Sequence, residues 1–388
     1  MNEHTRHVSA STVTSSGVEP PYIETQPERT DLPLAVMPCV VASMIKPFRA
    51  NLPLLHNVAR VRMYTDTTLD ENEIARRTAG ADAVMVIGFH VGDSLLDRLG
   101  INPPNPSNPS NRCEDSSDSS TDLDGDSADH SYAESHGGGN TVRCFAFGGT
   151  GVASYIDLDA ARSRGISVRN VVHYGDSSVA EHAFALLMEL SRGVGRQDAA
   201  VRRGDWSGLD GFALNDKTLG IAGFGGIGRA VARIARGFGM RVAVWNSHVD
   251  PVAARELGVE LVDDLGDLMA RSDAFSVHLP LLDSTTGLIT TMHLDRLRPG
   301  TLFVNTARAE VIEHGALTAR LARGDIRAGL DVFEHEPLPA NDPLRSMPNV
   351  VLTPHVAWRD DEAYVSLTRQ VFQAVASFFK GGDYNAVV

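Results

Sequence analysis

The strongest constraint on the fold is a glycine-rich stretch at residues 217–230. A short apolar run, Leu219-Gly220-Ile221-Ala222, predicts a buried parallel strand. It ends in Gly223-x-Gly225-x-x-Gly228, after which apolar residues recur at helical spacing. In such a turn the first glycine permits a tight bend, the second lets a ligand approach the backbone, and the third lets helix and strand pack closely. The stretch therefore predicts a dinucleotide pyrophosphate site. The alternative is an ordinary tight turn, since the glycine pattern alone is a weak signal.

Length and composition limit the class of protein. The chain has 388 residues, enough for about two domains with proper cores. Apolar residues make up 43% of it, and no apolar run reaches the ~18 residues of a membrane span. Of the net charge of −14, residues 1–33 carry −3 and residues 101–140 carry −7, which leaves −4 for the rest. This distribution argues against nucleic acid and against an anionic membrane as partners.

Strands and helices alternate along most of the chain. The alternation predicts an α/β fold, with two doubly wound parallel-sheet domains and a ligand cleft between them. We expect residues 34–172, completed by 356–388, to form a substrate domain and residues 173–355 to form the dinucleotide-binding domain. Residues 1–33 are predicted to be a disordered tail that is not a secretory signal, and residues 101–140 a disordered insertion.

One long helix is predicted after residue 177. Ser178-Val179-Ala180-Glu181 has the form of a capping box, and the apolar spacing continues towards Arg203. A helix of this length suits an element shared between domains or a subunit interface.

Three candidate catalytic side chains follow predicted strands of the second domain. Arg308 suits bidentate capture of a carboxylate, and Glu336 supplies a carboxylate of the protein itself. His355 can deliver a proton to an oxyanion, because a neighbouring carboxylate favours the protonated imidazole. Taken singly, Arg308 could be a surface ion-pair residue, Glu336 a solvated loop acid and His355 a core histidine. Their joint placement at strand ends favours the catalytic interpretation.

Five ordered motifs resemble the D-isomer-specific 2-hydroxyacid dehydrogenases. They are Gly223-x-Gly225-x-x-Gly228, Val277-His278-Leu279-Pro280-Leu281, Val304-Asn305-Thr306-Ala307-Arg308, Asp331-Val332-Phe333-x-x-Glu336-Pro337 and Thr353-Pro354-His355. Gly149-Thr150-Gly151 and Val179-Ala180-Glu181-His182 of the first half are similar to that family too. The resemblance implies a flavodoxin-like substrate domain beside a Rossmann domain, a homodimer, a nicotinamide cofactor, and Arg308, Glu336 and His355 as catalytic residues.

The resemblance also implies the residues that bind cofactor and substrate. The predicted cofactor contacts are Gly223, Gly225, Gly226, Ile227, Gly228, Asn246, Ser247, His278, Pro280, Thr306, Ala307 and, near the nicotinamide, Asp331. The predicted substrate contacts are Gly149, Thr150, Gly151, Arg308 and Trp358. Trp358 could equally pack at a domain junction.

The choice of cofactor and substrate depends on departures from the family pattern. The acid that grips the ribose 2′-OH of NAD is replaced by Asn246, and no arginine stands there for the phosphate of NADP, so both cofactors stay open with a lean to NAD. Phosphoglycerate-using relatives carry an arginine near Ile87-Gly88, which this chain lacks. Together with Trp358, this favours a small 2-oxo acid of the hydroxypyruvate or glyoxylate type.

Two other functions on this fold remain as alternatives. One is a dinucleotide-sensing binding protein of the corepressor kind, which can keep the catalytic residues. The other is a formate- or phosphite-oxidising enzyme, although the formate enzymes carry Gln where this chain has Glu336.

The cysteines predict the compartment. The sequence has three, Cys39, Cys113 and Cys144, an odd number without metal-type spacing. They predict a cytoplasmic protein without structural disulfides and without a metal site.

Overall fold

The chain forms two compact units. The computed structural model describes residues 22–101, 141–247 and 251–388. Unit 1 comprises the described residues up to Val172 together with Leu367–Val388, and unit 2 comprises His173–Ser366. The sequence placed the return of the chain to the first domain at residue 356, eleven residues too early. Residues 356–366 stay with unit 2 because the Val356 and Ala357 N–H groups are hydrogen-bonded to Asp331 there.

Unit 1 is built on a six-stranded sheet with the order β1-β3-β2-β4-β5-β6. All neighbouring strands are parallel except β1 and β3. Without β1, the order is that of a flavodoxin-like sheet. Its strands are β1 (Tyr22–Glu24), β2 (Leu34–Met37), β3 (Arg60–Tyr64), β4 (Ala83–Val86), β5 (Cys144–Phe147) and β6 (Ser167–Arg169). Its connecting helices are α1 (Ile45–Asn51), α2 (Glu71–Arg77), α3 (Asp93–Arg98) and α4 (Leu158–Ser163).

Strand β1 contradicts the prediction that the whole of residues 1–33 is disordered. It pairs antiparallel with β3, and the Tyr22 ring packs 5.4 Å from the Tyr64 ring. Glu24 also forms an ion pair with Arg62. Three residues are too few to show strand periodicity, so this strand depends on tertiary partners that a local pattern does not reveal. Residues 1–21, and 102–140 of the predicted insertion, lie outside the described residues.

Unit 2 is built on a seven-stranded parallel sheet with the order β13-β12-β11-β10-β7-β8-β9. This is the Rossmann order, and its direction reverses between β7 and β10. The strands are β7 (Thr218–Ala222), β8 (Arg241–Trp245), β9 (Glu260–Leu261), β10 (Ala274–Val277), β11 (Leu302–Asn305), β12 (Arg327–Leu330) and β13 (Val350–Leu352). The helices are α5 (Asp176–Arg192), α6 (Val194–Arg202), α7 (Gly226–Gly237), α8 (Pro251–Glu256), α9 (Leu265–Arg271), α10 (Thr291–Asp295), α11 (Ala316–Leu321) and α12 (Asp361–Phe379), the last of which continues into unit 1.

The core of unit 2 lies on both faces of this sheet. In β11, Leu302 and Val304 belong to a cluster with α5 and α7, whereas Phe303 belongs to a cluster with α9, α10 and α11. Successive side chains of a strand point to opposite faces, so helices cover the sheet on both sides. The expected α/β fold with two parallel-sheet domains is therefore confirmed.

The long helix predicted after residue 177 is two helices. Helix α5 begins at Asp176, without the predicted capping box, because its N-cap is Gly175 and Ser178 is buried. It ends at Gly193, whose left-handed φ of 60° separates α5 from α6. Glycine adopts this conformation without steric cost, and it is the usual residue at a helix end.

Within residues 22–101, 141–247 and 251–388, every helix falls short of the length or apolarity that crossing a membrane requires.

Candidate active site

The glycine turn after β7 has the shape of a dinucleotide cradle. Gly223 has a φ of 98°, and a Cβ atom placed on it would lie 2.4 Å from the His278 carbonyl oxygen. A Cβ on Gly228 would lie 2.1 Å from the Gly223 carbonyl oxygen, so α7 and β7 pack too closely for any side chain. At Gly225, by contrast, a Cβ would meet nothing within 4 Å. The open space above Gly225 fits a bound pyrophosphate, whereas the Asp176 carboxylate and the His173 ring lie directly over Gly226 at the start of α7.

The other predicted cofactor contacts of unit 2 lie after its strands. Asn246 and Ser247 follow β8, His278 and Pro280 follow β10, Thr306 and Ala307 follow β11, and Asp331 follows β12. The carboxyl ends of parallel strands meet at one edge of the sheet, which is where α/β proteins bind ligands. The Thr306 Oγ1 atom at this edge is buried and has no hydrogen-bond partner among the described residues. An unsatisfied hydroxyl at this edge of the sheet also fits a polar ligand.

His278 is buried at the end of β10. Its Nε2 atom lies 2.8 Å from the Ser276 hydroxyl, and the side chain is buried. Burial lowers the pKa of His278 to about 3, so the ring is neutral at ordinary pH. The cofactor contact at His278 stays a prediction: the carbonyl oxygen faces Gly223, and the buried Nδ1 atom has no hydrogen-bond partner among the described residues.

Asp331 has partners other than the expected nicotinamide. The residue is 0% exposed. Its Oδ1 atom accepts hydrogen bonds from the Thr353 hydroxyl at 2.6 Å and the Val356 N–H at 3.0 Å, and Oδ2 accepts from the Ala357 N–H at 2.8 Å. Both carboxylate oxygens therefore hold the loop at residues 353–357.

Arg308 extends from a turn that Asn305 fixes. The Asn305 side chain accepts a hydrogen bond from the Ala307 N–H at 2.9 Å and donates one to the Arg308 carbonyl at 3.0 Å. Asn305 itself is buried at the end of β11. The half-buried Arg308 side chain donates to the Ala307 carbonyl at 2.7 Å. The turn thus holds a guanidinium at the carboxyl end of a central strand.

His355 and Glu336 form the central pair of the site. His355 Nδ1 lies 2.7 Å from Glu336 Oε2, and the other carboxylate oxygen accepts the Phe333 N–H at 3.0 Å. An ionised carboxylate only accepts hydrogen bonds, so the Nδ1 atom of His355 carries a proton. The backbone of His355 has a left-handed φ of 52°, uncommon for a residue other than glycine. Such positions persist where the surrounding structure fixes them, often at functional sites.

Arg308 joins this pair electrostatically. Burial acts to raise the pKa of the Glu336 carboxyl, whereas the hydrogen bond and charge of His355, the Phe333 N–H and the Arg308 charge act to lower it. The lowering effects prevail, and the pKa of Glu336 lies below its usual value. The structure therefore brings His355 and Glu336 into contact, and the charge of Arg308 acts on the same carboxyl; their catalytic role stays a prediction.

The predicted substrate contacts are divided between the units. In unit 2, the half-buried Trp358 packs edge-on against Tyr174 at 6.2 Å and Tyr364 at 5.6 Å between ring centroids. In unit 1, Gly149, Thr150 and Gly151 follow β5, and the Thr150 hydroxyl donates to the Val171 carbonyl at 3.1 Å. A Cβ on Gly149 would lie 2.6 Å from the Phe147 ring, which explains glycine there.

Sequence reasoning missed several residues that support the site. Asn305 lies inside a quoted motif but was not interpreted. The sequence assigns no role to His182, yet its Nε2 atom lies 3.0 Å from the Thr353 hydroxyl. Only the spacing of the Val-Ala-Glu-His motif could have drawn attention to it. Among the described residues, no cluster of three or more His, Cys, Asp or Glu side chains could hold a metal ion.

Comparisons with known proteins agree with this geometry. Residues 184–357 match the model of the D-isomer specific 2-hydroxyacid dehydrogenase NAD binding domain. The chain is 40% identical over 233 residues to a glyoxylate reductase of Korarchaeum cryptofilum, covering 58% of this chain and 70% of that protein. It is 31% identical over 241 residues to a hydroxypyruvate reductase of Blautia hydrogenotrophica, covering 60% and 74%.

A solved structure extends the similarity over both units. D-lactate dehydrogenase from Escherichia coli superimposes with a TM-score of 0.72 at 28% identity, covering 92% of this chain and all of that one. The glycine cradle, the Rossmann strand order and these relatives lead to one conclusion. The chain belongs to the D-isomer specific 2-hydroxyacid dehydrogenase family, whose members are nicotinamide-dependent enzymes that interconvert 2-oxo and 2-hydroxy acids.

Proposed function

We propose that this enzyme reduces a small 2-oxo acid of the hydroxypyruvate or glyoxylate type, with Arg308, Glu336 and His355 as its catalytic residues. The observation that supports this most strongly is the 2.7 Å contact between His355 and Glu336, with Arg308 close enough to lower the pKa of the same carboxyl. A proton donor held by a carboxylate beside a fixed cation matches the needs of carbonyl reduction.

Each of the three side chains has a distinct task. When it is bound, the nicotinamide supplies hydride to the carbonyl carbon of the 2-oxo acid. Arg308 grips the substrate carboxylate and polarises the carbonyl oxygen. Glu336 holds Nδ1 of His355, so that Nε2 of the imidazolium donates its proton to that oxygen. Because reduction of the carbonyl consumes one proton, lowering the pH favours reduction over oxidation.

The proposal of a small substrate combines sequence and geometry. The relatives named above include a glyoxylate reductase and a hydroxypyruvate reductase. Trp358, which Tyr174 and Tyr364 flank, lies three residues after His355 and restricts the space available to a substrate side chain. The sequence also lacks an arginine near Ile87-Gly88, where a phosphorylated substrate would need one.

For the cofactor we propose NAD over NADP. The half-buried Asn246 at the end of β8 can hydrogen-bond a ribose 2′-OH. The neighbouring Ser247 brings no positive charge to bind a 2′-phosphate. The KM for NADH should therefore be lower than that for NADPH when both are measured with the same 2-oxo acid.

A substrate panel tests the proposal directly. NADH oxidation should be fastest with glyoxylate or hydroxypyruvate, and slower with pyruvate, phenylpyruvate and 3-phosphohydroxypyruvate. Faster turnover of the phosphorylated acid would contradict the substrate class. If NADH binds tightly and every acid in the panel is inert, the protein is a dinucleotide sensor of the corepressor kind instead.

A matched pair of histidine variants tests the catalytic assignment. His355→Ala should lower kcat by at least ~10²-fold, the lower end for loss of a general acid. His314 provides the control, because it also lies 2.7 Å from a carboxylate, that of Glu334, but its side chain is 86% exposed. His314→Ala should keep wild-type kcat. Equal rates for wild type and His355→Ala would remove His355 from the mechanism.

We further propose a homodimer that covers α6 and the segment after it. Apolar side chains in this part of unit 2 are exposed to solvent, with Val194 at 63%, Val201 at 50%, Trp206 at 87% and Leu209 at 47%. Side chains of this kind clustered on one surface mark a protein interface. A second copy of the chain is the proposed partner.

The proposed location is the cytoplasm. Cys39 and Cys144 are buried free thiols in unit 1. Burial raises the pKa of both, that of Cys144 to about 12, so neither forms a thiolate readily at neutral pH. Free thiols of this kind are typical of proteins in a reducing compartment.

A further inference from the structure

A chain of hydrogen bonds connects α5 to the loop that carries His355. His182 of α5 lies with Nε2 3.0 Å from Thr353 Oγ1 and 3.6 Å from Asp331 Oδ1. Thr353 in turn donates to Asp331 at 2.6 Å, and the same carboxylate accepts the N–H groups of Val356 and Ala357. His355 lies between these anchored residues.

The proton positions in this network follow from chemistry. Asp331 accepts three hydrogen bonds, as an ionised carboxylate does. The single hydroxyl hydrogen of Thr353 is used toward Asp331, so its oxygen can only accept from His182. His182 must therefore carry a proton on Nε2, and it is the donor that completes the network.

The buried carboxylate needs this support. Asp331 is 0% exposed, and a buried charge is costly unless hydrogen bonds or an opposite charge compensate it. His182, with its side chain 23% exposed, is the ionisable group that reaches the carboxylate from α5. If its donor is lost, the Thr353 oxygen loses a hydrogen-bond partner, and one of the loop's anchors is weakened.

We propose that His182 is a positioning residue: acting through Thr353 and Asp331, it fixes the loop at residues 353–357 and so holds His355 in register with Glu336. This inference rests on the proposed catalytic role of His355. The left-handed backbone of His355, with a φ of 52°, makes such restraint necessary, since a histidine elsewhere seldom adopts that conformation.

Two substitutions at His182 separate positioning from packing. His182→Leu keeps a similar volume but removes the donor, and kcat should fall about tenfold, as expected for the loss of one hydrogen bond to a charged network. His182→Gln keeps an N–H donor on a side chain of similar reach and should restore most of kcat. The Kd for NADH, measured by fluorescence titration, should stay within about twofold of wild type in both variants. If His182 has only a structural role, both variants should have a lower melting temperature, and their kcat values should not differ from each other.

The His355→Ala background distinguishes this inference from the proposed function. There, adding His182→Leu should cause no further loss, because the residue that His182 positions is gone. If His355→Ala keeps the wild-type rate, the proposed function has failed. If His355→Ala is impaired while His182→Leu matches wild type, or if the two losses multiply in the double variant, the positioning role is overturned.

Discussion

At the scale of single residues, a buried neutral imidazole limits stability in acid. The folded protein lowers the pKa of His278 to about 3, whereas an unfolded chain has a histidine pKa of about 6.5. Between these values the unfolded chain binds a proton that the folded one excludes. The stability that this residue contributes is therefore complete above about pH 6.5 and is lost as the pH falls towards 3.

The direction of this pH dependence leads to a prediction for His278. His278→Gln should flatten the dependence of the free energy of unfolding on pH, by up to about 1.4 kcal/mol per pH unit between pH 6 and pH 4. Urea unfolding at pH 4, 5, 6 and 7 measures the slope for both proteins. The exposed His314→Gln is the matched control and should keep the wild-type slope. Equal slopes for wild type and His278→Gln would show that His278 is not a neutral residue in this range.

The positions of the proposed catalytic residues at strand ends were easier to predict than the contacts of the residues that support them. Arg308, Glu336 and His355 could be named because each follows an apolar strand, and parallel strands bring their carboxyl ends to one edge. His182 is 171 residues before Thr353 in sequence, and nothing local indicates their contact. The direction of a side chain is also invisible to a motif, so the hydrogen bonds of Asp331 to the loop at residues 353–357 could not be predicted.

At the scale of elements, Gly228 and Gly225 of the turn after β7 contribute differently, the first to the packing of the fold and the second to ligand binding. A Cβ on Gly228 would lie 2.1 Å from the Gly223 carbonyl oxygen, so Gly228→Ala should force α7 away from β7 and destabilise the fold. A Cβ on Gly225 meets nothing within 4 Å, so Gly225→Ala should fold normally. If the open space is the pyrophosphate site, Gly225→Ala should weaken NADH binding by about tenfold or more while leaving the melting temperature unchanged.

Thermal unfolding and NADH titration of both variants measure this contrast. A Gly225→Ala protein with wild-type affinity for NADH would contradict this prediction, because NADH would then not occupy the space above that residue. A lowered melting temperature for Gly225→Ala would instead show that the space is filled within the protein.

The ends of helices and the shortest strands could not be predicted from the sequence, for a physical reason. The apolar spacing of α5 continues into α6, and only the φ of 60° at Gly193 divides them. Glycine inside a helical pattern is ambiguous, since it can be tolerated or can end the helix. A strand that is buried on both faces, such as the four-residue β11, leaves a continuous apolar signal in the sequence.

At the scale of the whole molecule, the alternation of strands and helices predicts two units. It does not predict the residue at which the chain returns from unit 2 to unit 1. Helix α12 contains the boundary, with Ser366 in unit 2 and Leu367 in unit 1. A helix shows no break in its own pattern where its packing partner changes. The division therefore depends on tertiary contacts, such as those of Ala357 with Asp331, rather than on a linker.

Assembly supplies the last prediction at this scale. If α6 and the following segment form a homodimer interface, light scattering after size-exclusion chromatography should give about twice the chain mass of 41.7 kDa for the wild type. Trp206→Ser combined with Val201→Ser should give a monomer, because large aromatic side chains such as Trp206 commonly contribute most to an interface. Met292→Ser is the control, since Met292 is also exposed, at 77%, but lies on α10. A monomeric wild type would show that the chain forms no homodimer. A double variant that stays dimeric at micromolar concentration would show that the interface lies elsewhere.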